Sequence, residues 1–211
     1  MYAAWSMWRD FGTPAYVAGA VPGPGQSANV PRQLAVARRE PGVGGESYRA
    51  RSACYDRGVP VSVDVQTVHP RKLAAVRREV APGAVGSAWG PALGKVWDFI
   101  RSQPGLWTTG HNIFLYHHSK ESGAPMLCDF GVEVTRTFET VGEVYATETP
   151  EGEAAVAVHR GPYDRMNEAY NAIDKWMAAN RRESAGQSWE IYGDPTPDPA
   201  DTETTVVHLL K

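Results

Sequence analysis

Glu190 is a lone glutamate flanked by aromatic residues in SWEIY (188–192), a pairing of residue types with the capacity for chemistry. In a strand, alternation puts Trp189 and Ile191 on one face and Glu190 with Tyr192 on the other. If Trp189 and Ile191 pack under helices, Glu190 and Tyr192 face a seam between elements. A carboxylate buried there without a partner costs several kcal/mol or takes up a proton. It therefore pairs with a structural cation or meets one from outside; the alternative is an edge strand with Glu190 solvated. NIFLYHH (112–118) alternates in the same way, with Phe114 and Tyr116 on one face and Ile113 and Leu115 on the other. One segment would bring an acid and a phenol, the other two aromatic rings. Flat rings around one fixed negative charge suit a planar organic cation, through stacking, cation–π attraction and Coulomb pairing.

Other residues are candidates on weaker grounds. Glu203, near the start of a C-terminal strand, is a second acid or an exposed strand-end glutamate. Trp89 near a helix start, Trp107 in the loop after Pro104-Gly105, and Tyr145 are candidate lining. Tyr170, Trp176 and Trp97 recur at helical spacing, which assigns them to the core. A catalytic version of the same constellation exists. Glu190, its pKa raised by burial, would be the general base for a water, and Tyr192 the donor to a developing oxyanion.

Other chemistries are excluded by spacing. His117 and His118 are adjacent, so in a strand they face opposite ways and cannot share a metal; no His/Cys/Asp cluster has zinc-ligand spacing. GPALGKV (90–96) lacks the Walker spacing, GVGGES and GPGQSA complete no dinucleotide fingerprint, and no G-x-S-x-G elbow exists. No metal or cofactor is expected. Cys54 and Cys128 make no disulfide framework and read as reduced thiols. With no basic-then-apolar leader and no apolar run of about 18 residues, the expectation is a cytoplasmic protein without a membrane partner.

The elements that must position these residues occupy the last three-quarters of the 211-residue chain. Residues 1–58 carry seven Arg against four acids, with Pro and Gly at a density that breaks both periodicities. RQLAVARRE (32–40) is too short for a helix-turn-helix. This segment reads as a disordered extension, and the net charge of −3 argues against a nucleic-acid surface. From residue 59 the pattern is ordered. Strands over 61–68 and 71–80, a helix over 87–103 and a hairpin of 112–118 with 126–138 are followed by the same order again. The second set is 143–149, 153–160, a helix capped by Asp164 and running to about Asn180, then 188–194 with 202–210. Sliding residues 70–97 onto 150–177 matches seven positions, among them Ala74/Ala154, Ala75/Ala155 and Val76/Val156. The fold class is α+β: two tandem strand-helix-strand-strand modules, about 59–138 and 139–211, sharing one continuous antiparallel sheet with two main helices. Each module alone is too small for a large core, and their seam is a natural cleft for a small ligand.

The run HRGPY, a helix with AYNAIDKW, then WEIY, an acidic Pro-rich loop and a final TET-initiated strand resembles the GyrI-like effector-binding domain family over about 60–211. The resemblance implies duplicated strand-helix-strand-strand modules, binding of lipophilic, often cationic, aromatic compounds, and a buried pocket glutamate at Glu190 with aromatic walls. It also implies two alternatives: hydrolysis of strained, cyclopropane-bearing natural products, and a gyrase-inhibiting, protein-binding role for which no surface can be named. The helix-turn-helix of the fused activators of this family is absent, which speaks against a direct transcriptional role.

Overall fold

Residues 61–211, apart from Thr109 and Ser122, are described by a computed structural model. The reading of residues 1–58, Cys54 included, falls outside these residues. The first half holds β1 (Val63–Val68), β2 (Lys72–Val80), α1 (Val85–Arg101), β3 (Asn112–His117) and β4 (Met126–Glu133). The second holds β5 (Tyr145–Glu148), β6 (Gly152–Arg160), α2 (Asn167–Ala179), β7 (Ser184–Tyr192) and β8 (Glu203–Leu210). Asp164 does not cap α2. It lies in a 3-10 turn, Tyr163–Arg165, and α2 starts after Met166 without a side-chain cap.

All eight strands join one antiparallel sheet in the order β1-β6-β8-β7-β3-β4-β2-β5. Exchanging the two halves maps this order onto itself. The first strand of each half pairs with the second strand of the other: β1 with β6, and β5 with β2. The halves meet at β3–β7, where Phe114 lies directly opposite Glu190. Matching the bounds and faces of corresponding strands, in a way the ladders satisfy, makes Ala74 the counterpart of Ala155, Phe130 of Val206, and Phe114 of Glu190. The pseudo-two-fold axis therefore passes between Phe114 and Glu190. The sequence slide that pairs Ala74 with Ala154 is one residue out in β2/β6. Ala74 and Ala155 belong to the core under the helices and Ala154 to the core on the opposite face, because a one-residue slip reverses the face.

The sheet curls. β1 and β2 are six strand positions apart, about 29 Å if flat at ~4.8 Å per strand. Their link is only His69–Arg71, which spans at most about 14 Å. The corresponding link in the second half is equally short, and the two links bond each other through Arg71 N to Thr149 Oγ1 (2.9 Å) and Thr149 N to Arg71 O (3.0 Å). Curling gives the sheet two buried faces. On the outer one α1 packs over β2 and β4, and α2 over β6. On the inner one Leu73, Ile113, Leu115, Val156, Trp189 and Val207 form a smaller core.

Candidate functional site

Period-two alternation along β3 and β7 sends Phe114, Tyr116, Glu190 and Tyr192 to the same face, as expected. That face is the one beneath the helices. Trp189 and Ile191 take the inner face, the reverse of the expected arrangement, because both faces of a curled sheet are apolar enough to bury either pair.

Glu190 is 6 % exposed. Three phenols donate to it: Tyr116 and Tyr192 to Oε2, and Tyr170 of α2 to Oε1, each at 2.6 Å. Tyr116 and Tyr192 come from opposite halves, so the seam brings two hydroxyls to one oxygen. Burial, reinforced by the adjacent Glu190 charge, holds all three phenols well above the usual tyrosine range, so their protons stay available for donation. Among the described residues no Lys, Arg or His forms an ion pair with Glu190. The carboxylate is thus solvated by neutral donors, with no cation from the described residues.

Rings enclose this group. Phe114 stacks with Trp89 of α1 at 6.3 Å and meets Tyr192 at 4.8 Å and the edge of Phe130 at 4.9 Å. Tyr163, from the turn that precedes α2, sets its edge against Tyr192 at 5.6 Å. Gly161 makes that turn: it holds φ +123° and donates its N–H to Thr202 O. The seam is closed by side chains of Trp89, Tyr163 and Tyr170. Beside it His118 Nε2 lies 2.7 Å from Ser188 Oγ, and burial lowers the pKa of both His118 and His208.

The structure therefore gathers Glu190, Tyr192, Phe114 and Tyr116, with Trp89 at their margin. The other three candidates lie elsewhere. Trp107 packs edge-on against Trp97 and donates to Gly110 O. Glu203 pairs with Arg160 at 2.7 Å and lines a groove of about 890 Å³ on the inner face. Tyr145 donates to Asp129 at 2.6 Å. Asp129 is fully buried on that inner face, where Arg77 grips it through both oxygens and His117 approaches Oδ2 at 2.8 Å. Two residues escaped the sequence reading. Tyr170 sits on the helical stripe that marks core, and spacing shows a face but not how far a hydroxyl reaches; Asp129 lies in a strand, MLCDFGVE, whose other buried members are apolar. Tyr192, the expected oxyanion donor, donates its hydroxyl hydrogen bond to Glu190.

A two-helix, eight-stranded duplicated sheet with an uncompensated carboxylate and rings on its dyad defines a small-molecule-binding module. The chain matches the GyrI-like small molecule binding domain over residues 62–209 and belongs to that family. Among solved structures, the EcmrR C-terminal domain is similar at 20 % identity and TM-score 0.62, over 72 % of this chain and 99 % of that one. Against the EcmrR chain of a DNA complex, at the same identity and TM-score, the match covers 77 % of this chain and 62 % of that one. SAV2435 bound to tetraphenylphosphonium is similar at 9 % identity and TM-score 0.56, over 71 % and 94 %. No curated protein matches the chain.

Proposed function

We propose that this domain binds lipophilic aromatic cations at the seam between its halves, with Glu190 supplying the charge and Phe114, Tyr116, Tyr192 and Trp89 the flat surfaces. The observation that carries this reading is the buried Glu190 carboxylate, held among the described residues by three hydroxyls and no cation. Hydroxyl donors satisfy its oxygens but leave its charge uncompensated. At an effective dielectric of about 20 a cation about 4 Å away gains roughly 4 kcal/mol before its own desolvation. Tyr170 is the sole phenol on Oε1 and comes from a helix, whereas the phenols on Oε2 are fixed in the sheet. A guest reaches the acid by displacing Tyr170 with its neighbours in the roof. A structure of this fold, SAV2435, carries tetraphenylphosphonium, so the fold admits a bulky organic cation.

Calorimetric titration with tetraphenylphosphonium and with neutral triphenylphosphine oxide tests the charge role. Glu190→Gln should weaken the cation about tenfold or more, which is 1.4 kcal/mol, and leave the neutral compound within about twofold. Equal loss for both, or none for either, refutes it.

A further inference from the structure

The residues surrounding Glu190 in the sheet carry a second message. Phe114 and Val206 flank it across the strands, and Asn112, Tyr116, Thr204 and His208 occupy the four diagonal positions on the same face. Tyr116 donates to Glu190. The other three hold the buried side-chain polar atoms that lack a hydrogen-bond partner among the described residues: Asn112 Oδ1, Thr204 Oγ1 and His208 Nε2. These residues are 5 %, 0 % and 8 % exposed. Native proteins leave few such atoms, since each costs the desolvation of a group that regains nothing. Three clustered around one acid, at the seam where the halves meet, mark an arrangement completed from outside.

We infer that the preferred guest is a planar cation bearing N–H groups on its periphery, an amino-substituted heteroaromatic cation, and not one clad only in hydrocarbon. This deepens the binding reading above and rests on it. Diagonal neighbours in a sheet lie about 7–8 Å apart, a distance that the half-length of an amino-substituted three-ring system and one hydrogen bond of about 2.9 Å cover together. The bare atoms suit donors. Asn112 Oδ1 accepts, Thr204 Oγ1 can accept, and a neutral imidazole presents a lone pair at Nε2 when its proton sits on Nδ1. His208 is kept neutral by burial, and the groups facing it are His118, Tyr170 and Asp174. In an aminoacridinium-type cation the positive charge is shared with the amino groups, so the charge answers Glu190 while the N–H bonds reach the diagonal atoms.

Proflavine (3,6-diaminoacridinium) and acridine orange, its tetra-N-methyl analogue, separate this from simple greasiness. Both are monocations at pH 7 with the same ring, and methylation removes every amino N–H while adding apolar surface. Fluorescence titration of the full chain should show proflavine binding more tightly, by about fivefold for each hydrogen bond formed. Thr204→Val, which keeps the shape and removes the hydroxyl, and Asn112→Leu should each shrink that ratio. Acridine orange binding equally well or better, or a ratio unmoved by both substitutions, overturns the inference. If both dyes bind equally and Glu190→Gln weakens both, only this inference falls. If neither dye binds while tetraphenylphosphonium does, only this inference falls; if none of the three binds, the cation-binding reading falls with it. The wild-type ratio decides the matter even if a variant fails to fold.

Discussion

Two acids in this domain are buried, and they are treated in opposite ways. Glu190 is surrounded by phenols and has no countercharge among the described residues. Asp129 is gripped by the Arg77 guanidinium at 2.7 and 2.8 Å, with Tyr145 and His117 completing its shell. Burial alone would push the Asp129 carboxyl up, but bonds from Arg77, Tyr145 and His117 hold it below the ordinary aspartate range. A carboxyl depressed in the folded state contributes stability that is fully present above its unfolded value, about 3.9. That contribution is lost as pH falls through the lower, folded value. Asp129→Asn should therefore cost about 3 kcal/mol at pH 7, the low end for a broken buried pair because Arg77 is half exposed and rehydrates. It should also shrink the loss of stability between pH 4 and more acid conditions. Urea unfolding of both proteins across that range measures it, and parallel acid limbs would show that Asp129 is not responsible. An acid so firmly matched is structural, and the contrast is what singles out Glu190.

At the scale of elements, the turn from β6 into α2 governs the roof of the site. Gly161 at φ +123° sits in a half of φ space that side chains rarely adopt, although a Cβ there would meet only His159 at ordinary contact distance. Gly161→Ala tests strain without a clash. It should cost about 1–3 kcal/mol and weaken cation binding, because Tyr163 and Tyr170 both hang from this turn. Unchanged urea midpoint and affinity would show that the roof does not depend on it. The turn was legible in HRGPY, as were every strand, both helices and the grouping of Phe114 and Tyr116 with Glu190 and Tyr192, since period-two alternation is a local property. Which group lies under the helices was not legible. Trp189 and Ile191 look as suited to a helix-covered face as Tyr192, and the curl that buries both faces arises from pairing between distant strands. The reach of Tyr170 to Glu190 is likewise tertiary: it is set by how α2 lies on β6. Glu203 and Tyr145 looked like site residues because aromatic and acidic types at strand ends carry no record of the face they will take.

Over the whole molecule, the exchange of first strands binds the two halves more deeply than a shared seam would. β1 completes the sheet of the second half and β5 that of the first, while β3 and β7 join at the centre. A half cut between Phe138 and Glu139 keeps its own hairpin and helix. It loses the strand that covers one edge and the partner of its central strand, along with much of the inner-face core that Leu73, Ile113, Val156 and Trp189 share. What remains is about 75 residues with two exposed strand edges, too little buried area for independent stability. Residues 61–138 and 139–211, expressed apart, should each lack a cooperative thermal transition by circular dichroism. Mixed in equal amounts, they should recover one together with the Glu190-dependent binding. A cooperative transition in either piece alone would mean that the exchanged strand is dispensable. Folding of the second half alone would also show that Glu190 can be buried without Tyr116, which reaches it only when the two halves are joined.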